Sequence, residues 1–432
     1  MVRERTYQAV LVGFFATFAL FFLTIVDVRR GFLLPLSSYV QIGSPSTILH
    51  LHPLHPALLL VGGLGAWIAY RYMGGWEERL RDKGVRLSAL ANHLAVAIIL
   101  FFIADLVFLY RGVPAARIAA AGKMGVGQAI PLALAPWWLR PFAEGTNYVL
   151  LVWHAMLLSI LIGSLLLIHL LPFLKPLVGR GGFRGHLAGT ALALPQPFCS
   201  CCSGPIGSML YRGGASLGAT LAFVVSSPML NITALILALL LLPMPFALTR
   251  ILGGILVGVF ITFAVGRVAS GWVANPRPNK LALVFSRYAD LFRLERSLKG
   301  GRIDSPTALI KSWLDMSWRF ARVVVPVVFL GAVATAAVVA LLPLPRNDFI
   351  GVIIASAFGT MLMVPTWTEI PLAGGLINQG LTGPAAALLL TLPAVSIPCL
   401  AVIAGALGNL RVPIFLGLAV FVVGLLTGLA FI

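Results

Sequence analysis

Acidic residues are scarce in this chain: Asp and Glu together number 13 in 432 residues, and charged residues of both signs make up only 10%. A water-soluble domain carries about 25% charged and about 45–50% apolar residues. The hydrophobic fraction here is 59%, more than a compact fold can hide while covering its surface with polar groups. A soluble globular protein is excluded, and so are coiled-coil, collagen-like and disordered chains. Cysteine is scarce too, and four in 432 residues make no disulfide framework. The sequence contains no Gly-x-x-x-x-Gly-Lys-Ser/Thr and no His-Glu-x-x-His. It therefore reads as a non-enzyme without an ATPase of its own.

Basic residues are what remains. Arg and Lys number 31, giving a net charge of +18. In a soluble protein this would indicate nucleic acid. Here the charges fall between apolar runs, so the expected partner is membrane lipid, with basic loops held against anionic headgroups, and no nucleic acid.

A spanning helix takes about 20 apolar residues. Runs of that length occur near 7–26, 56–73, 90–110, 148–172, 217–242, 246–268, 320–342, 384–408 and 413–432. The first is followed by Asp27, Arg29 and Arg30 with no cleavage site, so it reads as an uncleaved spanning helix. Two more apolar stretches, 186–213 and 349–380, are interrupted at Pro195–Pro205 and Pro365–Pro371. The fold expected is an all-α polytopic membrane protein with about nine spanning helices plus two broken re-entrant hairpins.

Positive residues set the orientation. Arg71, Arg79, Arg81, Lys83 and Arg86 follow the second helix, and a larger cluster occupies 270–318. Both belong in the cytoplasm, as does the N-terminus of a multi-pass protein of the cell membrane. The count closes only if 186–213 enters and leaves on the cytoplasmic side and 349–380 on the outer side. The order helix, broken hairpin, helix, helix then occurs twice, inverted. Pro205 to Gly214 matches Pro371 to Gly380 in spacing, and Pro228 aligns with Pro393. The expected organisation is an N-terminal three-helix extension (1–110), an outer loop (111–147), a first repeat (148–268), a basic cytoplasmic loop (269–319) and an inverted second repeat (320–432). In the loop, Leu281, Val284, Tyr288, Leu291 and Phe292 recur at the spacing of an amphipathic surface helix. Inverted repeats with discontinuous helices are the usual build of secondary transporters.

The sharpest local signal is Pro-Phe-Cys-Ser-Cys-Cys-Ser-Gly-Pro at 197–205. The prolines and Gly204 are expected to break the helix, which a membrane tolerates only around a cavity or inside protein. Cys199, Cys201 and Cys202 at such a break suit a soft metal ion or trivalent metalloid as substrate, although cysteine also packs as a small apolar residue.

Pro197-x-Cys199-Ser-Cys201, Pro205, Arg212-x-Gly214-Ala215-Ser216, and Ser227-Pro228-x-x-Asn231 together resemble the signature of the predicted-permease family of ArsP/YraQ type. A weaker second signature is similar to 365–396, and the resemblance runs over about 148–432. It implies export of trivalent organoarsenicals or soft metal ions, with Cys199 and Cys201 as ligands and Asn231 lining the site. Cys202 stands where the family commonly has Gly, and Trp367 and Glu369 stand where small or hydroxyl residues are usual.

Glu369, in Pro-Thr-Trp-Thr-Glu-Ile-Pro, is a carboxylate among apolar residues. It is a functional candidate, as a proton carrier or cation partner, unless it sits at a wet outer mouth. Asp105 reads as a polar mouth residue and Arg212 as the cap of a half-helix. His50, His52 and His55 precede the second helix and offer imidazoles for a metal ion on the outer face. His93, His154 and His169 lie in apolar runs, where paired imidazoles ligate haem. The function expected is secondary-active export of a thiophilic metal ion or arsenical. A membrane redox protein (haem-binding or thiol–disulfide) and an importer of a sulfur species are the alternatives, and a homo-oligomer is compatible with either.

Overall fold

Long apolar runs become helices because a helix satisfies its own backbone polar groups where no water is available. A computed structural model of the chain describes residues 2–31, 50–85, 87–114, 116, 130–195, 198–274, 303–340, 346–364 and 367–432. Its N-terminal helices are α1 (Val2–Arg30), α2 (Leu54–Arg81) and α3 (Ser88–Ala104), the last continued by a π-helical turn, Asp105–Gly112. Then come α4 (Arg140–Leu165), α5 (Leu171–Val178), α6 (Gly182–Ala193) and α7 (Ser200–Arg212). The first half closes with α8 (Leu217–Met229), α9 (Ile232–Leu241), α10 (Met244–Ile255), a π turn (Leu256–Ile261) and α11 (Thr262–Ala274). The second half is α12 (Pro306–Val339), α13 (Phe349–Met361), α14 (Glu369–Asn378), α15 (Thr382–Ala394), α16 (Ile397–Leu407) and α17 (Arg411–Leu429).

Among the described residues, nine helical stretches are long and apolar enough to cross a membrane, one for each run found in the sequence. The protein is thus an all-helical, multi-pass membrane protein. Three boundaries move. Helix α2 runs on to Arg81 and α4 begins at Arg140, while α12 begins at Pro306, where Ser305 caps it by accepting the Ala308 N–H. The amphipathic pattern at 281–292 lies outside the described residues.

The interrupted stretches are pairs of short helices, α6/α7 and α13/α14. At 10–13 residues each, none reaches the roughly 20 needed to span. The first break lies ahead of Cys199 and not at Pro205, which sits inside α7. Two stretches expected as full helices are broken as well. The run 217–242 is divided at Leu230–Asn231 and 384–408 at Val395–Ser396, each shortly after a proline, Pro228 or Pro393. Pro228 cannot donate to the Val224 carbonyl, and the Ser203 hydroxyl of α7 takes that carbonyl instead, at 2.8 Å.

Helix order and packing recur in the two halves. Both arms of each pair pack on the following broken helix, α6 and α7 on α8, α13 and α14 on α15, while α8 packs on α11 as α15 does on α17. The ends of α7 and α14 repeat bond for bond. Gly214 and Gly380 take positive φ (100° and 78°). Ala215 N–H donates to Leu210 O and Leu381 N–H to Leu376 O, both at 2.9 Å. This is one Schellman stop made twice. Helices α4 and α12 pack along each other, and α8 packs on α15. Each half also contributes an arm to the other. Helix α7 packs on α16 and α14 on α9.

The N-terminal helices are fastened to this core. Tyr7 donates to Glu77 Oε1 at 2.7 Å, and the first turn of α12 donates Thr307 N–H to the same oxygen at 3.0 Å. Thr307 Oγ1 bonds the other carboxylate oxygen. A carboxylate at a helix N-terminus is favoured by the exposed N–H groups there.

Candidate functional site

Cys199 is the N-cap of α7 and Cys202 the third residue of its first turn. That spacing, with the extended backbone at Cys199, turns the two thiols toward each other, Sγ to Sγ 3.4 Å. No disulfide joins them, and both are buried. Cys201 is in the same turn; its side chain lies outside the described residues.

A third thiol arrives from the other half. Cys399, in the first turn of α16, is 1% exposed. Its Sγ stands 2.9 Å from where a Cβ on Gly204 would lie, so the absence of a side chain at Gly204 lets α7 and α16 touch. Ser200 and Ser396 meet there as well, Oγ to Oγ 3.3 Å. Two half-helix N-termini, with their partial positive charge, thus converge on a cluster of thiols and hydroxyls. The sequence reading passed over Cys399, since nothing near it carries a motif. Among the described residues no three His, Cys, Asp or Glu are arranged to hold a metal ion.

A cavity of about 320 Å³ lies between α7, α12 and α16, its wall including Pro205 and Pro398, the chain neighbours of Gly204 and Cys399, with Ser208, Phe320 and Val323. The lining is almost wholly apolar. Ser208 Oγ is buried without a partner. Arg212 is part of the wall and donates to Gly405 O at 3.4 Å, so it caps the C-terminal end of a half-helix, α16.

Glu369 belongs to a second cluster. It is fully buried, and its Oε1 lies 3.4 Å from Arg250 Nη2. That guanidinium also donates to Met229 O at 2.9 Å and Pro228 O at 3.2 Å, the open C-terminal carbonyls of α8. The other Glu369 oxygen accepts Trp367 N–H at 2.8 Å and holds Trp367 at φ 91°, a conformation costly for a residue with a side chain. The Arg111 guanidinium lies over the Trp367 ring at 4.7 Å. The carboxylate is therefore paired, not placed at a wet mouth. Arg250 was missed in the sequence, though an arginine four residues into the apolar run 246–268 was signal enough.

Asn231 is the N-cap of α9 and accepts from Thr233 and Ala234 N–H. Its buried Nδ2 has no partner. It lies two residues beyond the Met229 carbonyl that Arg250 grips, on the side of Glu369 and apart in sequence from the Cys199–Cys202 pair.

The remaining candidates are committed elsewhere. His55 is bound through both ring nitrogens, Nδ1 by His52 N–H at 3.1 Å and Nε2 to Asp27 at 2.8 Å. His52 Nδ1 accepts Leu54 N–H at 3.2 Å, and His50 approaches α1 through its backbone, donating to Val28 O at 2.6 Å. Asp105 is buried against His154, 2.6 Å away, and is no mouth residue. His93 is exposed and His169 rests near Phe173, so no two of the haem candidates face each other. The spacing Gly214-x-Ser216-x-Gly218 matches a nucleophile elbow, but the Ser216 hydroxyl caps α8 by accepting Ala219 N–H.

Comparison with known proteins places this architecture. A family model described as a predicted permease (ArsP_1) matches residues 144–277, from α4 through α11. The protein YraQ of Escherichia coli (strain K12), of the UPF0718 group, is 31% identical over 274 residues, covering 61% of this chain and 72% of that protein. MJ0584 of Methanocaldococcus jannaschii, of the same group, is 25% identical over 285 residues, 54% of this chain and 77% of that protein. No solved structure matches.

Proposed function

This chain belongs to the predicted-permease family of the YraQ type, and from that premise we propose that it exports a trivalent organoarsenical or another thiophilic species by secondary-active transport. The observation that carries the reading is the Cys199–Cys202 pair, 3.4 Å apart at a half-helix N-terminus. Two thiols at that separation chelate one soft atom after losing their protons, and sulfur donors select such atoms. The adjoining cavity of about 320 Å³ offers an apolar wall to an organic substituent. A bare hydrated ion gains nothing from it. Cys399 supplies further sulfur nearby, and the Asn231 Nδ2, without a partner among the described residues, supplies a donor at the second cluster.

The orientation proposed has the N-terminus and the basic segments around 79–86 and 270–318 in the cytoplasm, with the second repeat inverted relative to the first. The recurring element order and the shared Schellman stops support two equivalent repeats.

The test is tolerance of phenylarsine oxide, a trivalent organoarsenical, in cells lacking their own arsenical exporter. Cells expressing the chain should accumulate less arsenic, and Cys199→Ser and Cys202→Ser should each abolish the difference. Equal accumulation with and without the chain, or full activity of both variants, overturns the reading. A thiol–disulfide enzyme is the second reading. The Cys199-x-x-Cys202 spacing at a helix N-terminus favours it, and oxidation of a dithiol substrate by the purified, oxidised protein would support it.

A further inference from the structure

His186 lies in α6, buried where that arm crosses α8 and the π turn before α11. Its Nδ1 is 3.1 Å from Gly218 O and its Nε2 is 2.8 Å from Val259 O. Both partners are carbonyls, which only accept. The Thr262 hydroxyl, 3.4 Å from Nε2, gives its proton to Gly258 O at 2.7 Å and so offers none to the ring. A neutral imidazole has a single N–H and leaves one nitrogen lone pair against a carbonyl lone pair. Only the imidazolium satisfies both.

The surroundings suit a cation. Phe183 stacks on the ring, 6.3 Å between centroids and 15° between planes. Phe263 meets it at 5.4 Å and 67°. Aromatic faces attract positive charge. The Val259 carbonyl lies in the π-helical turn Leu256–Ile261, an irregularity that loosens the regular bonding ladder and often marks a functional position. Helices α8 and the π turn carry no titratable side chain. On the other elements packed against α6 these are Lys175 of α5 and Arg267 of α11, and on α6 itself Arg184; all three are exposed. The imidazolium therefore has no carboxylate to fix it, and its proton can leave.

Its loss has a mechanical result. Helix α6 meets α8 through backbone, since a Cβ on Gly189 would stand 2.2 Å from Ala219 O. His186 is the polar anchor on that smooth face, bonding α8 through Gly218 and the π turn through Val259. Removing the proton cancels one of the two anchors.

We propose that His186 is the coupling-proton site of this permease: it binds an exchangeable proton, and occupancy decides whether α6 is anchored to α8 and to the π turn together or to one of them. Coupling rests on the transport reading above; the proton site does not.

Two measurements on the full chain in nanodiscs decide it. With ¹⁵N-labelled histidine, the resonance lost in His186→Gln should show two protonated nitrogens at low pH and one at high pH. If that variant does not fold, Phe263→Leu assigns the signal by its changed ring current. One protonated nitrogen at every pH, or two at every pH, overturns the proposal. In everted vesicles, phenylarsine oxide uptake by the wild type should rise several-fold with an imposed pH gradient, and uptake by His186→Gln should ignore the gradient. A gradient response undiminished in that variant overturns the coupling role. No uptake by the wild type at all counts against the arsenical cargo, and the resonance then decides the proton site alone.

Discussion

The Arg250 guanidinium and the Glu369 carboxylate face each other at 3.4 Å, and neither side chain is exposed. The arginine comes from α10 and the glutamate opens α14, so one ion pair ties the end of α8 to the second broken segment. Glu369 thereby accepts from two donors, Arg250 and the Trp367 backbone.

Breaking a buried pair from one side leaves the other charge unpaired, at a cost of about 3–5 kcal/mol. Glu369→Gln should lower the unfolding free energy in detergent by about that amount. Arg250→Met combined with Glu369→Gln should recover part of the loss. A double variant that loses the full sum of the single ones would show that the two residues act separately.

Gly204 allows α7 and α16 to touch. Gly204→Ala puts a methyl 2.9 Å from Cys399 Sγ, an overpacking that costs about 1–3 kcal/mol. Cys399→Ala in that background should restore the melting temperature. No restoration would mean the contact is not what limits the site.

Tyr7, Glu77 and Thr307 fasten the N-terminal helices to α12. Hydrogen bonds to charged groups contribute about 1.5–3 kcal/mol, so Tyr7→Phe should destabilise by that order. Hydrogen exchange should quicken first in α1 and α2. Uniformly faster exchange across all helices would contradict a local fastening.

Haem held between two imidazoles needs them to face each other, and His93 is exposed while His154 is buried against Asp105 at 2.6 Å. The purified protein should therefore show no Soret band in its absorption spectrum. Asp105→Asn should shift the melting temperature without creating one.

Hydropathy alone located all nine spanning stretches, because about 20 apolar residues in a row have few other uses. The breaks inside 217–241 and 382–407 were hidden for the same reason: a single polar residue, Asn231 or Ser396, is outweighed by its apolar neighbours, and the mean hydropathy stays at 2.1 and 2.3. The readable sign was a proline followed three residues later by a capping residue, Pro228 to Asn231 and Pro393 to Ser396. Cys199 and Cys202 were found from local spacing. Cys399 was not, since only the crossing of α7 and α16 brings it near. Glu369 drew attention by rarity, but rarity says nothing about a partner 119 residues away.

That separation matters during biosynthesis. Asp27 meets His55 after 28 residues and Asp105 meets His154 after 49. Arg250 must enter the bilayer and wait for 119 residues before Glu369 exists. An unpaired arginine at a helix centre costs about 2.5–3.5 kcal/mol on insertion, with the α8 carbonyls as its interim partners. The ribosome thus delivers the first half with an unsettled charge, and this pair is completed only when the second broken segment arrives.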